Sequence, residues 1–186
     1  METIKNKTNG QDNFGSLKKV YFRDMKFLSL FPNIGSNGYF NVQELSDKNE
    51  DFADNVREIE FVKEGSRFTQ ARENTEQGKL FKQTLTLTVA KDYSERYSSL
   101  WGSESRFLVF AYDMNNVGRV IGHIDFDGSQ NGAKFFENTD TGNNFSSLNF
   151  MAITFYCENK HSAYYCNPAE GDGDDYFNTP RANVLV

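Results

Sequence analysis

Alternating apolar and polar residues mark the clearest predicted element of this chain of 186 residues. In residues 80–90, Leu85, Leu87 and Val89 alternate with a series of threonines. Because successive side chains of a strand point to opposite faces, this period of two predicts a strand with one apolar face and one threonine face. The apolar face should contact the core, and the threonine face should contact solvent.

Other short apolar runs predict further strands. The runs at 106–112 and 117–124 flank a turn at 113–116, where two asparagines tolerate left-handed backbone. We expect these two runs to pair as a hairpin. Weaker runs of the same kind lie at 20–22, 26–31, 39–42, 56–63, 133–137 and 145–157.

One segment has helical spacing. Four apolar residues recur at i, i+4, i+7 and i+8 along a predicted short helix over 92–100, and they are Tyr93, Tyr97, Leu100 and Trp101. The sequence therefore predicts a mainly β fold, either an antiparallel β-sandwich or a barrel-like sheet, with one short helix.

The distribution of polar segments divides the chain into three parts. Residues 1–16 are polar and rich in Asn and Gly, which predicts a flexible N-terminal arm. Residues 17–158 form the predicted β domain, with an extended polar loop at 64–79. Residues 159–186, which include an acidic tract, are predicted to be an extended C-terminal tail.

Composition narrows the function classes. The chain has 18 Phe and 9 Tyr, so an aromatic-rich core is expected. Its formal charge of -6, with no large cluster of Lys and Arg, argues against a dedicated surface for duplex DNA. The N-terminus lacks the apolar stretch of a secretory signal and no apolar run is long enough for a bilayer, so we expect no membrane association.

Candidate catalytic and metal-binding residues are few. His123 and His161 lie in no nucleophile motif, so no catalytic set is expected. Cys157, His161 and Cys166 could ligate zinc and support a metal-assisted hydrolase, but they lack paired C-x2-C spacing, and two free thiols fit equally well. The acidic stretches at 125–129 and 172–175 could bind Ca²⁺ or Mg²⁺, yet they lack the EF-hand pattern and resemble solvated turns. We expect no catalytic residues, no cofactor and no metal.

One stretch resembles a known family. Residues 73–89 place an acidic polar segment and Gly78 before the threonine-alternating strand, and 107–113, a turn and 117–122 follow. This order resembles the ring proteins of crAss-like phages and related Bacteroidetes phages, over Val20 to Tyr156. The resemblance implies a fold like that of tail-completion and tail-tube proteins. It also implies a structural virion protein, not an enzyme, that forms a ring of the portal-to-tail connector and seals and extends the DNA conduit.

The same resemblance implies the partners and the location. They are further copies of the chain in a homo-oligomeric ring, neighbouring portal, neck or tail ring proteins, and non-specific contact with DNA in the lumen. The protein would be made in the bacterial host cytoplasm and reside in the virion neck or tail. The alternative from another class is a glycan- or ligand-binding β-sandwich, suggested by aromatic residues in expected loops, namely Trp101, Tyr164, Tyr165 and Tyr176.

Overall fold

The computed structural model describes residues 16–30, 39–40, 46–47, 56–90, 105–115, 117–124, 130–140, 150–166 and 183–185. These residues are mainly strands, arranged in two large, mainly antiparallel sheets and two small two-stranded sheets (residues 28–30 with 46–47, and 123–124 with 130–131), and their helical content is one 3-10 turn at Met25–Phe27. The predicted mainly β, antiparallel sandwich is confirmed. The predicted helix over 92–100 lies outside the described residues.

The strands are numbered in chain order. They are β1 (Leu17–Asp24), β2 (Leu28–Leu30), β3 (Tyr39–Phe40), β4 (Ser46–Asp47), β5 (Arg57–Ile59), β6 (Val62–Thr75), β7 (Gly78–Ala90), β8 (Phe107–Asp113), β9 (Gly118–Ile121), β10 (His123–Ile124), β11 (Gln130–Asn131), β12 (Lys134–Asp140), β13 (Phe150–Asn159), β14 (Tyr164–Cys166) and β15 (Asn183–Leu185).

The larger sheet has seven strands in the order β15-β5-β1-β8-β9-β14-β3. Its centre is antiparallel: β1 pairs with β8, and β8 pairs with β9 in the register Val109↔Ile121 to Tyr112↔Gly118. The two outermost pairs, β14 with β3 and β15 with β5, are parallel. The predicted hairpin across residues 113–116 is confirmed by the β8–β9 pairing.

The smaller sheet has four antiparallel strands in the order β12-β13-β7-β6. Strand β13 pairs with β7 along its whole length, from Phe150↔Ala90 to Asn159↔Phe81. The predicted strand at 80–90 is confirmed by β7, whose Leu85, Leu87 and Val89 are buried.

The core fills the space between the two sheets. The larger sheet contributes Phe22, Phe107 and Val109 among others, and the smaller sheet contributes Leu85 and Phe155 among others. The aromatic rings meet mostly edge to face, with the centroid of Phe155 5.8 Å from that of Phe107 and 5.9 Å from that of Phe22. Such pairs add to the hydrophobic gain from burial, and the expected aromatic-rich core is confirmed.

A second buried cluster lies on the opposite face of the larger sheet. It contains Leu108, Phe110 and Tyr112 of β8, together with Tyr21 and Cys166. Strand β8 is therefore buried on both faces, and its burial pattern shows no exposed residue. This explains why its sequence is an almost continuous apolar run where β7 alternates.

The predicted loop at 64–79 is wrong. Strand β6 covers 14 residues, a two-residue turn follows, and β7 begins at Gly78 with a φ of 121°. Twelve of the 14 residues of β6 are exposed, so the strand has no apolar face and no alternation to reveal it. Its conformation is set by pairing with β7, from Arg67↔Thr86 to Thr75↔Gly78.

The predicted C-terminal tail is wrong for two segments. Strand β14 pairs with β9 and β15 pairs with β5, so residues 164–166 and 183–185 belong to the larger sheet. Strand β13 also continues one residue past the predicted domain boundary at 158. In the predicted arm at 1–16, the structure describes only Ser16, whose hydroxyl donates to the Lys63 carbonyl at 3.1 Å. Among the described residues, no helix has the length and hydrophobicity to cross a bilayer.

Candidate functional site

The smaller sheet has two open edges in the described structure. Strands β6 and β12 stand at its two ends, and no described strand runs along the outer edge of either. Just before β12, Ala133 forms an isolated antiparallel bridge with Phe107 of β8, so the open part of that edge is Lys134–Asp140. Open edges present unpaired backbone N–H and C=O groups that can pair with another chain. The two edges are therefore a candidate assembly interface.

A β-bulge shapes the beginning of β6. The register shifts between Val62 and Arg67, where Gly65 adopts a φ of 83°. Ser66 is buried inside the bulge, where its hydroxyl donates to the Val62 carbonyl at 2.5 Å and accepts from the Thr88 amide at 3.0 Å. The irregular part of the edge thus ends at Arg67, and regular pairing geometry continues to Thr75.

The far end of the β6–β7 hairpin projects from the sandwich. Residues 71–79 are all exposed, and the neighbouring β13 ends at Asn159, opposite Phe81. Lys82 donates to Glu73 across the hairpin at 2.9 Å, and this hydrogen bond raises the pKa of Lys82. The projection is a two-stranded arm without core contacts, so it is available to contact another molecule.

The outer face of the smaller sheet carries the threonines predicted from the sequence. Thr84, Thr86 and Thr88 are partly exposed there, while the intervening leucines are buried. Across the sheet, Thr86 pairs with Thr154, which pairs with Phe136 on β12. Phe136 is 52% exposed, the largest exposure among the large apolar side chains described. This face is mostly polar, and it is uncharged at its centre.

The three residues considered for zinc are not brought together. Cys157 lies in the core between the sheets, Cys166 lies in the cluster on the opposite face of the larger sheet, and His161 is exposed. Burial raises the pKa of each thiol to about 11, so both cysteines are protonated at neutral pH, whereas zinc binds thiolate. In the described part of the chain, no group of three His, Cys, Asp or Glu residues could hold a metal ion.

Cys157 instead belongs to a small buried polar cluster. Its thiol donates to Gln83 Oε1 at 3.2 Å, and Asn159 Nδ2 approaches the same oxygen at 3.4 Å. Gln83 Nε2 donates to the His161 carbonyl at 3.3 Å. Gln83 and Asn159 are almost completely buried, so this cluster ties β7 to the chain that follows β13. Its role is structural.

The other candidate residues have varied positions. His123 lies on β10, and the acidic stretches at 125–129 and 172–175 lie outside the described residues. Of the four aromatic residues considered for glycan binding, Trp101 and Tyr176 also lie outside them. Tyr164 packs against the buried cluster on the opposite face of the larger sheet.

Tyr165 is the member of that set that lines a surface groove. It is 47% exposed and lies beside Arg119, whose guanidinium carbon is 5.8 Å from the centroids of both the Tyr165 and Phe68 rings. The groove has a volume of about 480 Å³ and lies between β6, the β8–β9 turn and β14. The residues that line it include Arg67, Phe68, Gln70, Asp113, Asn115, Arg119 and Tyr165.

The groove is held in shape by two further contacts. Arg119 Nη1 donates to Asp113 Oδ2 at 3.2 Å, and Asp113 Oδ1 accepts from the backbone amides of Asn115 and Val117, each at 2.9 Å. Gln70 Oε1 accepts from the Ala163 amide at 2.7 Å, which joins β6 to the segment before β14. No motif or spacing in the sequence marks Arg119 and Asp113 as site residues, although Asp113, shortly before two asparagines, is a turn signal.

Comparison with protein-family models, with curated proteins and with solved structures finds no match for this chain. The chain's own geometry and the sequence resemblance are therefore the basis for a proposed function.

Proposed function

We propose that this chain is a structural subunit of a homo-oligomeric ring in the portal-to-tail connector of a phage virion, where it seals and extends the DNA conduit. The observation that carries the proposal is the four-stranded sheet with two open edges. The resemblance to ring proteins of crAss-like phages provides the setting, including a fold of the tail-completion or tail-tube kind.

The number of strands suits ring closure. Strands β12, β13, β7 and β6 alternate in direction, so β6 runs opposite to β12. In a cyclic ring every copy has the same orientation along the axis. Strand β6 of one copy and β12 of the next would then meet antiparallel, which continues the alternation around the whole ring. The four-stranded sheets would form one closed cylinder without edges.

Charge and stagger are compatible with this pairing. Strand β6 contains Lys63, Arg67 and Arg72 against Glu64 and Glu73, a net charge of +1. Strand β12 contains one lysine against one glutamate and one aspartate, a net charge of -1. The two edges are also offset. Lys134, the first residue of β12, aligns across the sheet with Thr69 of β6, whereas β6 continues beyond Thr69 to Thr75. Sheets close into cylinders with such a stagger between strands.

The outer face of the smaller sheet and the hairpin arm can each be assigned a position in such a ring. The outer face of the smaller sheet, with Thr84, Thr86 and Thr154, would line the lumen, and its lack of a cationic cluster among the described residues would let DNA pass with only non-specific contact. The hairpin arm at 71–79 points along the strand direction. The arm extends about 10 Å beyond Phe81, the last residue of β7 that pairs with β13, because the three residues from Gly78 to Leu80 add about 3.3 Å each. It could reach an adjacent portal, neck or tail ring.

Ring dimensions test the edge pairing directly. Adjacent strands are about 4.8 Å apart, so four strands add about 19 Å to the circumference of the cylinder for each copy. This corresponds to about 6 Å of diameter per copy. A strand tilt of about 35–45° relative to the axis raises the value to about 7–9 Å of diameter per copy. Cryo-electron microscopy of the assembled protein gives both the copy number and the diameter of the inner wall. A ratio outside about 6–9 Å per copy would contradict the pairing of β6 with β12.

Proline substitutions test the same contact chemically. Along an antiparallel strand the backbone N–H groups point alternately to the two sides, so of Ala71→Pro and Arg72→Pro only one removes a hydrogen bond to β7. We expect the other variant to retain the melting temperature of the unmodified chain and to lose the ring in sedimentation velocity. Rings that persist in this folded variant would refute edge pairing that includes residues 71 and 72, and a strictly monomeric unmodified chain would refute the ring itself.

A further inference from the structure

The surface groove differs from the open edges, because it presents side chains and not unpaired backbone groups. The groove between β6, the β8–β9 turn and β14 exposes nearly half of Tyr165, whose ring faces away from the side on which Cys166 is buried. Exposed aromatic rings flanked by polar side chains are typical of sites that bind sugars, because the ring covers the C–H face and polar groups bind the hydroxyls. Gln70, Asn115 and Asp113 are polar residues of the same groove.

Arg119 is positioned before any ligand arrives. Its guanidinium lies over the rings of Phe68 and Tyr165, and Asp113 holds one of its nitrogens at 3.2 Å. The side chain is 29% exposed, so part of it faces solvent. A fixed guanidinium loses little conformational entropy when it binds a planar anion such as a carboxylate.

Arg119 has more hydrogen-bond donors than Asp113 uses. A guanidinium carries several N–H groups, and the hydrogen bond to Asp113 Oδ2 uses the one at Nη1. Asp113 Oδ1 accepts from two backbone amides. Asp113 therefore braces the groove and orients the guanidinium, whose other N–H groups can bind the carboxylate of a ligand.

We propose that this groove binds a saccharide that carries a carboxylate, with the sugar ring on Tyr165 and the carboxylate on Arg119. A volume of about 480 Å³ suits one or two sugar rings. The site goes beyond the ring function proposed above, since it uses side chains of β6 that face β14 and does not use the open backbone edge.

The test is an NMR titration of the ¹⁵N-labelled full chain with three probes. They are a disaccharide of glucuronic acid and glucose, the neutral disaccharide of two glucose units with the same linkage, and a thymidine oligonucleotide. We expect shifts of the Tyr165, Arg119 and Asn115 amides with the acidic disaccharide, and at least fivefold weaker binding of the neutral one. Sedimentation velocity on the same samples records the oligomeric state, so failure here is distinct from failure of the ring proposal.

Variants assign the contacts. Tyr165→Ala should weaken binding of the acidic disaccharide at least fivefold, and Arg119→Lys should reduce the preference for it over the neutral one. Phe136→Ala removes a similarly exposed aromatic ring from β12, the opposite edge strand, and should leave binding unchanged. The proposal is overturned by equal binding of both disaccharides, by binding of the oligonucleotide alone, or by no binding of any probe to the unmodified, folded chain.

Discussion

Phe155 joins the two sheets, and its replacement by alanine tests the described core. Its side chain is fully buried, and its ring centroid lies 5.5 Å from that of Phe135, 5.8 Å from that of Phe107 and 5.9 Å from that of Phe22. Truncation of a buried Phe to Ala typically costs about 3–5 kcal/mol, through lost transfer free energy and the cavity left behind. Two of its partners belong to the larger sheet, so the loss weakens the contact between the sheets.

The expected cost is large compared with a typical free energy of unfolding of about 5–15 kcal/mol. With a urea m-value of about 2 kcal/mol/M, a loss of about 4 kcal/mol lowers the unfolding midpoint of Phe155→Ala by about 2 M. The matched control is Phe136→Ala, whose ring is 52% exposed on the outer face, and its cost should be about 0.5 kcal/mol or less. Equal midpoints for the two variants, measured by fluorescence and circular dichroism, would show that the inner and outer faces of this sheet are wrongly assigned.

Two further outcomes follow from the buried thiols and a crowded glycine. Because burial raises the pKa of Cys157 and Cys166 from 9.0 to about 11, the folded state keeps protons that the unfolded chain loses, so stability should fall between pH 9 and 11 by about 2–3 kcal/mol per thiol. Urea unfolding across this range should show the decline. The Cys157→Ala/Cys166→Ala variant should lack the thiol contribution and keep a decline above about pH 10, because the pKa values of Tyr112 and Tyr156 are also raised. At Gly118, an added Cβ would lie 2.3 Å from Cys166 Sγ and 2.7 Å from Tyr112 Cε1, so Gly118→Ala should lower stability by about 1–3 kcal/mol. Cys166→Ala should recover part of that loss in a double-mutant cycle, whereas additive losses would exclude the contact.

Sequence patterns predicted the strands whose two faces meet different surroundings. In β7, Leu85 and Leu87 face the core while Thr86 faces outward, so apolar and polar residues alternate along its sequence with a period of two. The β8–β9 hairpin was predictable because asparagines mark its turn. The second face of β8 was not predictable in detail, since a continuous apolar run fits a strand buried on both faces but does not name what it contacts.

The candidate groove shows the limit of sequence reasoning for a site. Tyr165 was considered from the sequence as an aromatic residue in an expected loop. Its partners Phe68 and Arg119 lie far from it along the chain, and they meet only because β14 pairs with β9 while β6 folds against the same side of the sandwich. No local spacing encodes that arrangement. The zinc hypothesis failed for the same reason, because Cys157 and Cys166 are close in sequence but occupy different sides of the larger sheet.

The composition of β6 can be explained by the surfaces it serves. Phe68 and Gln70 face the groove and Thr69 faces the threonine side of the sheet. The residues beyond position 70 project past the sandwich as the arm, so neither of their faces meets a core. A strand in this position needs no apolar period, because its hydrogen bonds to β7 fix its conformation and its side chains remain available for contacts. The polarity of residues 64–79, which predicts a loop, is what the two proposed roles require. One role needs an open backbone edge for a neighbouring copy, and the other needs a side-chain face for a soluble ligand.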